Sequence, residues 1–192
     1  MIQFGIIGTG WRTEFFLRIA RACPDRFQIV GMVTRDASRS AGIGKAFNVP
    51  LYTSVEDLIA AGRPQFMVTS VPWTANPGAL KHLAAMGMPA LSETPPASTV
   101  EELVELWKLV ENGAIIQVAE QYWAQPHHLA RMRFAHCGKL GEISQVQISA
   151  AHGYHGISLI RRYLGIGYEN AWIHAMAFSS PIVKSGDRKG PP

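Results

Sequence analysis

Gly8-Thr9-Gly10-Trp11-Arg12-Thr13 is the stretch of this chain whose residue types and spacing are best suited to chemistry. It follows an apolar run and opens a segment with helical periodicity. A glycine at Gly8 permits a sharp turn, and one at Gly10 lets a ligand approach the main chain closely. The helix that starts there presents unpaired N–H groups and the positive end of its dipole to an anion. This combination suits a dinucleotide pyrophosphate, with Gly8, Thr9, Gly10, Trp11 and Arg12 around it. The third small position of the fingerprint is Thr13 rather than Gly or Ala, which is a departure. A tight strand–helix turn without a ligand can look the same, so the reading depends on what else reaches that end of the fold.

Three further loops follow buried apolar runs. Thr34 and Arg35 end the second run, where an acid would favour the ribose hydroxyls of NAD. A hydroxyl and a guanidinium suit a 2′-phosphate, so NADP(H) is favoured over NAD(H). Asp36 is a competitor for the ribose, and a solvated Arg35 beside a helix cap is the plain alternative. Ser70, Pro72 and Trp73 close another run. Glu93 follows the next, and is expected near the nicotinamide ribose or as a helix-capping carboxylate. Trp11 and Trp73 line the crevice on this reading, although loop tryptophans are as often packing residues.

The elements that must position these loops alternate. Strands are expected at 3–7, 27–34, 51–52, 66–70, 88–92 and 114–119. Helices are expected from Trp11 to Ala22, from an Asp36 or Ser38 cap to Phe47, and from the Thr53/Ser54 capping boxes to Gly62. Two more run from an Asn76-Pro77 cap to Met86 and from the Ser98/Thr99 capping boxes to Asn112. Six strands alternating with helices predict an α/β, doubly wound parallel sheet, a Rossmann domain over residues 1–121. The carboxyl ends of its strands bring the four loops to one crevice. Beyond it the pattern changes. A helix is expected at 127–134, a strand at 142–150, a helix at 155–164 and a strand at 171–178, with a loose tail at 179–192. Residues 122–178 therefore read as the start of an incomplete α/β second domain, with an unpaired edge expected to associate into a homo-oligomer.

Composition narrows the function classes. Of 192 residues, 47% are hydrophobic and 17% charged, as in an ordinary globular protein. The net charge of +4 is scattered, without the basic stripe and interleaved aromatics of a nucleic-acid binder. No stretch reaches the length of a membrane span, and no secretion leader is visible. Cys23 and Cys137 stand in no metal-like spacing, so a reduced, cytoplasmic setting and a small-molecule substrate are expected.

The order of motifs carries a resemblance. A glycine turn after the first strand precedes Glu93-Thr94-Pro95 after the fifth, then Ala119-Glu120-Gln121-Tyr122 and Pro126. Gly138-Lys139-Leu140-Gly141-Glu142 and a helix from His155 to Leu164-Gly165 follow. This resembles the Gfo/Idh/MocA family over about residues 2–178, in a chain that resembles a member stopping partway through its second domain. The resemblance implies an NAD(P)-dependent oxidoreductase moving hydride between nicotinamide and a sugar-like or polyol carbon. It places Thr94 where relatives carry a lysine beside the nicotinamide, and Ala151 where they carry an aspartate. An arginine often seen after the tyrosine is Trp123, and an aspartate three residues past the histidine is Ser158.

His155 is the family acid–base residue still in register, and its pKa range suits a proton acceptor. The plain alternative is a helix N-terminal histidine bonded to backbone. Gln121 is expected at the nicotinamide amide or in a backbone-satisfied turn. Tyr122, Trp123, His152 and Tyr154 are the candidate substrate residues, with simple interdomain packing as the other account of Tyr122 and Trp123. His152-x-x-His155 lacks nearby Cys, Asp or Glu to complete a metal sphere, so no metal is expected. His127 and His128 read as surface residues. Because Thr94 and Ala151 depart from the family pattern, a cofactor-binding member without dehydrogenase activity, a sensor or scaffold, is the alternative. A nicotinamide-assisted glycosidase is a third.

Overall fold

The computed structural model describes residues 1–149 and 153–179. Six parallel strands form one sheet: β1 (Ile2–Ile7), β2 (Phe27–Val33), β3 (Leu51–Tyr52), β4 (Phe66–Thr69), β5 (Ala90–Ser92) and β6 (Ile116–Val118). Their order is β3-β2-β1-β4-β5-β6. The chain direction across the sheet reverses between β1 and β4, the place where open α/β sheets leave a crevice.

The strands are apolar on both sides because helices cover both faces. Phe4, Ile6, Ile29, Met32 and Val68 form one core with Leu17 of α1 (Trp11–Ala22), joined by Ile43 and Phe47 of α2 (Ala37–Phe47). On the other face Val33, Met67 and Ala90 pack with Leu58 of α3 (Val55–Gly62). Leu80 and Leu83 of α4 (Asn76–Ala85) and Leu106 of α5 (Val100–Glu111) complete that side. Neighbours Met67 and Val68 point to opposite cores, as the two-residue period of a strand requires.

Side-chain caps start three of the helices. Asp36 caps α2 by accepting from Arg39 N–H, and Ser54 caps α3 through Asp57 N–H. Thr99 and Glu102 form a reciprocal capping box on α5. Asn76 does not cap α4. Ala75 holds that position, Asn76 lies inside the helix, and its side chain is buried. Its amide is recruited by the adjacent β5 loop, which outweighs its capping preference.

After β6 come a single 3₁₀ turn (Tyr122–Ala124), α6 (Pro126–Ala135) and α7 (Gly153–Leu164). The strands expected at 142–150 and 171–178 are not formed among the described residues; 143–149 and 171–179 have no regular structure. A strand needs a partner edge to satisfy its backbone, and the described residues beyond Val118 supply none. The apolar alternation at Ile143, Val146 and Ile148 is by itself insufficient. His128 also departs from expectation: it is half-buried, with Nδ1 out of solvent, while His127 is exposed. Among the described residues, no helix is long and apolar enough to cross a membrane.

Candidate cofactor and acid–base site

The glycine turn is assembled by its neighbours. Gly8 N–H donates to Val33 O (2.9 Å), and Ser70 N–H to Ile7 O (2.9 Å), so the ends of β1, β2 and β4 are held side by side. Gly8 has φ +106, and a Cβ there would lie 2.2 Å from Ser70 O. Only glycine fits both demands. Gly10 is different: a Cβ there would meet nothing within 4 Å. It is the N-cap of α1, with no side chain capping the helix. The space outside Gly10 is open while α2, α3 and α5 are closed by Asp36, Ser54 and Thr99. An anionic group fits this uncapped start, since helix N-termini attract negative charge.

Thr13, the departure from the fingerprint, is fully buried and donates its hydroxyl to Gly8 O (3.1 Å). The side chain thus braces the turn that a third glycine or alanine would merely accommodate.

Thr9 reaches across the turn to Ser40 (Oγ–Oγ 3.0 Å), and Ser40 continues to Thr34 (2.9 Å). This hydroxyl chain ties the glycine turn to α2. Ser40 was not expected; its signal was a serine one turn into the helix capped by Asp36. Thr34 is buried, and its hydroxyl is engaged with Ser40 and the Asp36 backbone, so it serves the turn. Arg35 and Asp36 are exposed. The Asp36 carboxyl is held below its ordinary range, chiefly by the Ser38 hydroxyl and then by Arg39 N–H.

Arg12 and Glu93, both expected at the cofactor, meet each other: Nε donates to Oε1 at 2.8 Å. Both side chains are largely covered, 22% and 15% exposed, and the guanidinium lies 5.0 Å from the Phe15 ring centre. The pair joins the start of α1 to the loop after β5. That loop is shaped by Asn76, whose Nδ2 donates to Ser92 Oγ (2.9 Å) and lies 3.3 Å from Pro95 O and 3.4 Å from Pro96 O. The Thr94–Pro95 peptide is cis, and Thr94 is half-buried. Trp11 and Trp73 are exposed, as is Pro72, and Ser70 is half-buried.

A second cluster follows β6. His155, 7% exposed on α7, meets Glu120 through Nδ1. Its ring stacks on Tyr122 at 3.9 Å between centroids and 15° between planes, and Tyr154 approaches edge-on at 4.4 Å. Arg162 lies over Trp123 at 4.0 Å. Gln121 is exposed, and its carbonyl accepts Ala124 N–H (2.9 Å) as a turn residue. Ala119 N–H donates to Ser92 O (2.8 Å), hitching this cluster to the Glu93 loop. His152 and Ala151 lie outside the described residues. Glu120 was missed as a site residue; a carboxylate between the last sheet strand and two aromatic residues was its only signal. No group of three or more His, Cys, Asp or Glu able to hold a metal occurs among the described residues.

Comparison with known proteins agrees with this fold. Residues 2–120 match the profile of the oxidoreductase family with an NAD-binding Rossmann fold. An uncharacterized oxidoreductase of Schizosaccharomyces pombe is 24% identical over 151 residues, 76% of this chain and 41% of that protein. The WlbA dehydrogenase of Bordetella pertussis, solved with NADH and UDP-GlcNAcA, has a TM-score of 0.66. It is 22% identical and is matched over 74% of this chain and 44% of that one. GenD2 from gentamicin A biosynthesis, solved with NAD, has a TM-score of 0.71 at 17% identity, over 85% of this chain and 54% of that one. The chain thus spans about two fifths of the length of the curated relatives it matches. With a glycine turn, a 3-2-1-4-5-6 parallel sheet and a family match over most of its length, the chain belongs to the Gfo/Idh/MocA oxidoreductase family.

Proposed function

We propose that this protein is an NAD(P)-dependent oxidoreductase acting on a CH–OH group of a sugar-like or polyol substrate. The observation that carries the reading is the start of α1, uncapped and open beside Gly10 at the point where the strand order reverses. A nicotinamide dinucleotide, when bound, supplies the hydride acceptor or donor. Gly8, Thr9, Gly10, Trp11 and Arg12 bind its phosphates. Arg12 and Glu93 neutralise each other, so the pair orients the β5 loop without adding net charge. Ser70, Pro72, Trp73 and Gln121 bound the crevice. His155 accepts the alcohol proton in the oxidising direction and returns it in the reducing one. Thr94 offers a hydroxyl hydrogen bond, and Tyr122, Trp123, His152 and Tyr154 contact the substrate. The bound sugar nucleotide named for the WlbA structure supports a sugar-like substrate class.

NADP(H) is the preferred cofactor on this reading. The exposed Arg35 supports this by offering a guanidinium to a 2′-phosphate, while the neighbouring Asp36 is engaged through Oδ1 in capping α2. Thr34 contributes nothing here, because its hydroxyl is taken up within the turn. Titration with NADPH and NADH tests the reading. NADPH is expected to bind more tightly, and Arg35→Ala to weaken NADPH by about 10- to 150-fold with little effect on NADH. Failure of both cofactors to bind below millimolar concentration would overturn it. A second reading, a cofactor-binding protein without turnover, is favoured by Thr94, which carries no group titrating near neutrality. Cofactor binding without turnover across a sugar panel would select it.

A further inference from the structure

The contact between His155 and Glu120 has a chemical sense of its own. Glu120 sits two residues beyond β6, and both of its carboxylate oxygens are engaged. Oε1 accepts the Tyr122 N–H (2.9 Å), and Oε2 faces His155 Nδ1. An ionised carboxylate can only accept, so the imidazole must present a proton at Nδ1. A neutral imidazole carries one N–H, and with the proton on Nδ1 the lone pair lies on Nε2. The stack on Tyr122 and the burial of His155 leave the ring little rotational freedom.

We propose that Glu120 is the positioning residue of the acid–base site, fixing His155 as the Nδ1–H tautomer with Nε2 as the proton acceptor. This rests on the acid–base role of His155 proposed above. In the oxidising direction the substrate O–H bond breaks and its proton bonds to Nε2. The O–H electron pair forms the carbonyl as hydride leaves the carbon for the nicotinamide. The resulting imidazolium keeps its Nδ1–H bond, and its charge faces the Glu120 carboxylate.

The experiment is Glu120→Gln, which preserves shape. Its amide oxygen is expected to remain with the Tyr122 N–H, an obligatory donor. The amide NH₂ then faces His155 Nδ1 and demands an acceptor there, moving the proton to Nε2. Imidazole ¹⁵N shifts of the full chain, recorded at alkaline pH and assigned with His155→Gln, read the tautomer without substrate or cofactor. The parent protein is expected to show Nδ1–H and the Gln variant Nε2–H. With NADPH and a turned-over substrate, kcat is expected to fall by about 10²–10⁴-fold in the variant while KM changes little. NADPH affinity and the melting temperature, which a purely structural role would move, are expected to stay near parent values. An Nε2–H tautomer in the parent, or an unchanged ¹⁵N pattern in the variant, overturns the proposal. A parent chain that binds NADPH without turnover counts against the acid–base reading alone, because the tautomer is decided separately.

Discussion

The two halves of this molecule hold their functional groups in different ways. Up to residue 120, the central strands of the sheet are covered on both faces, and Ile6, Met32, Leu58, Met67, Val68, Leu80 and Leu83 have no exposed surface. Each loop at the carboxyl edge is anchored to its neighbour: Gly8 to Val33, Ser70 to Ile7, Glu93 to Thr69, Ala119 to Ser92. Beyond residue 120, only Met132, Ala135, His155 and Leu159 are buried among the described residues. Tyr168, Trp172, Ile173, Met176 and Phe178 are all at least 80% exposed. The first half fixes its turn by many redundant contacts, while the second holds His155 against the Glu120 carboxylate and the Tyr122 and Tyr154 rings. Damage to the first half should therefore appear as lost stability, and damage to the second as altered chemistry.

The sharpest test of that division uses the two glycines of one turn. Gly8→Ala places a Cβ against Ser70 O in a backbone conformation that alanine resists. We expect a loss of about 2–5 kcal/mol in urea unfolding. Gly10→Ser has the opposite character. Its backbone is already extended at φ −73, there is room for the side chain, and serine is a good N-cap. Stability is expected to hold or rise, while NADPH affinity falls because the hydroxyl takes an N–H and the space that a phosphate needs. If both variants lose stability equally, the turn is not split into a structural and a ligand-facing glycine.

Asn76 tests the same half at a smaller scale. Its amide holds Ser92 and reaches the Pro95 and Pro96 carbonyls under the Glu93–Thr94 loop. Asn76→Leu, of similar volume, removes those donors inside the core. A loss of about 1–3 kcal/mol is expected, with weaker cofactor binding and no change in the His155 imidazole spectrum. A shifted His155 spectrum would show that the halves are coupled through the β5 loop.

These differences also explain which parts were legible in the sequence. Buried parallel strands read as plain apolar runs, so β1, β2 and β4 stood out, and the Thr99–Glu102 box announced α5. Convergence of four loops followed from topology once the strands alternated with helices. Asn76 misled because a cap and a buried amide donor look alike until the neighbouring loop is placed. The runs at 142–150 and 171–178 misled because alternation specifies a face, whereas a strand also needs an edge. Ser40 and Glu120 carried only weak signals for a related reason: their partners Thr9, Thr34 and His155 are 31, 6 and 35 residues away. Pairings of that kind exist only after folding.

The smallest expected effect belongs to the second half and to pH. His128 stacks near Tyr122 (6.4 Å between centroids) and His127 (4.1 Å), and its Nδ1 is buried with no hydrogen-bond partner among the described residues. Burial lowers its pKa below the usual 6.5, and the positive charges of His127 and Arg131 add to that. A histidine depressed in the folded state is protonated more readily in the unfolded chain. Its contribution to stability is thus present above about pH 6.5 and is lost as pH falls through the lower folded-state value. Acidification should loosen the contacts around Tyr122 before it affects the sheet. Amide exchange at about pH 7.5 and 5.5 is expected to show reduced protection in α6 and α7 at the lower pH, after correction for intrinsic rates. His128→Phe keeps the ring against Tyr122 but cannot charge, so it should flatten that difference and leave β1, β2 and β4 unchanged. Greater protection of α6 at the lower pH, or an equal loss in the Phe variant, would assign the pH response to another group.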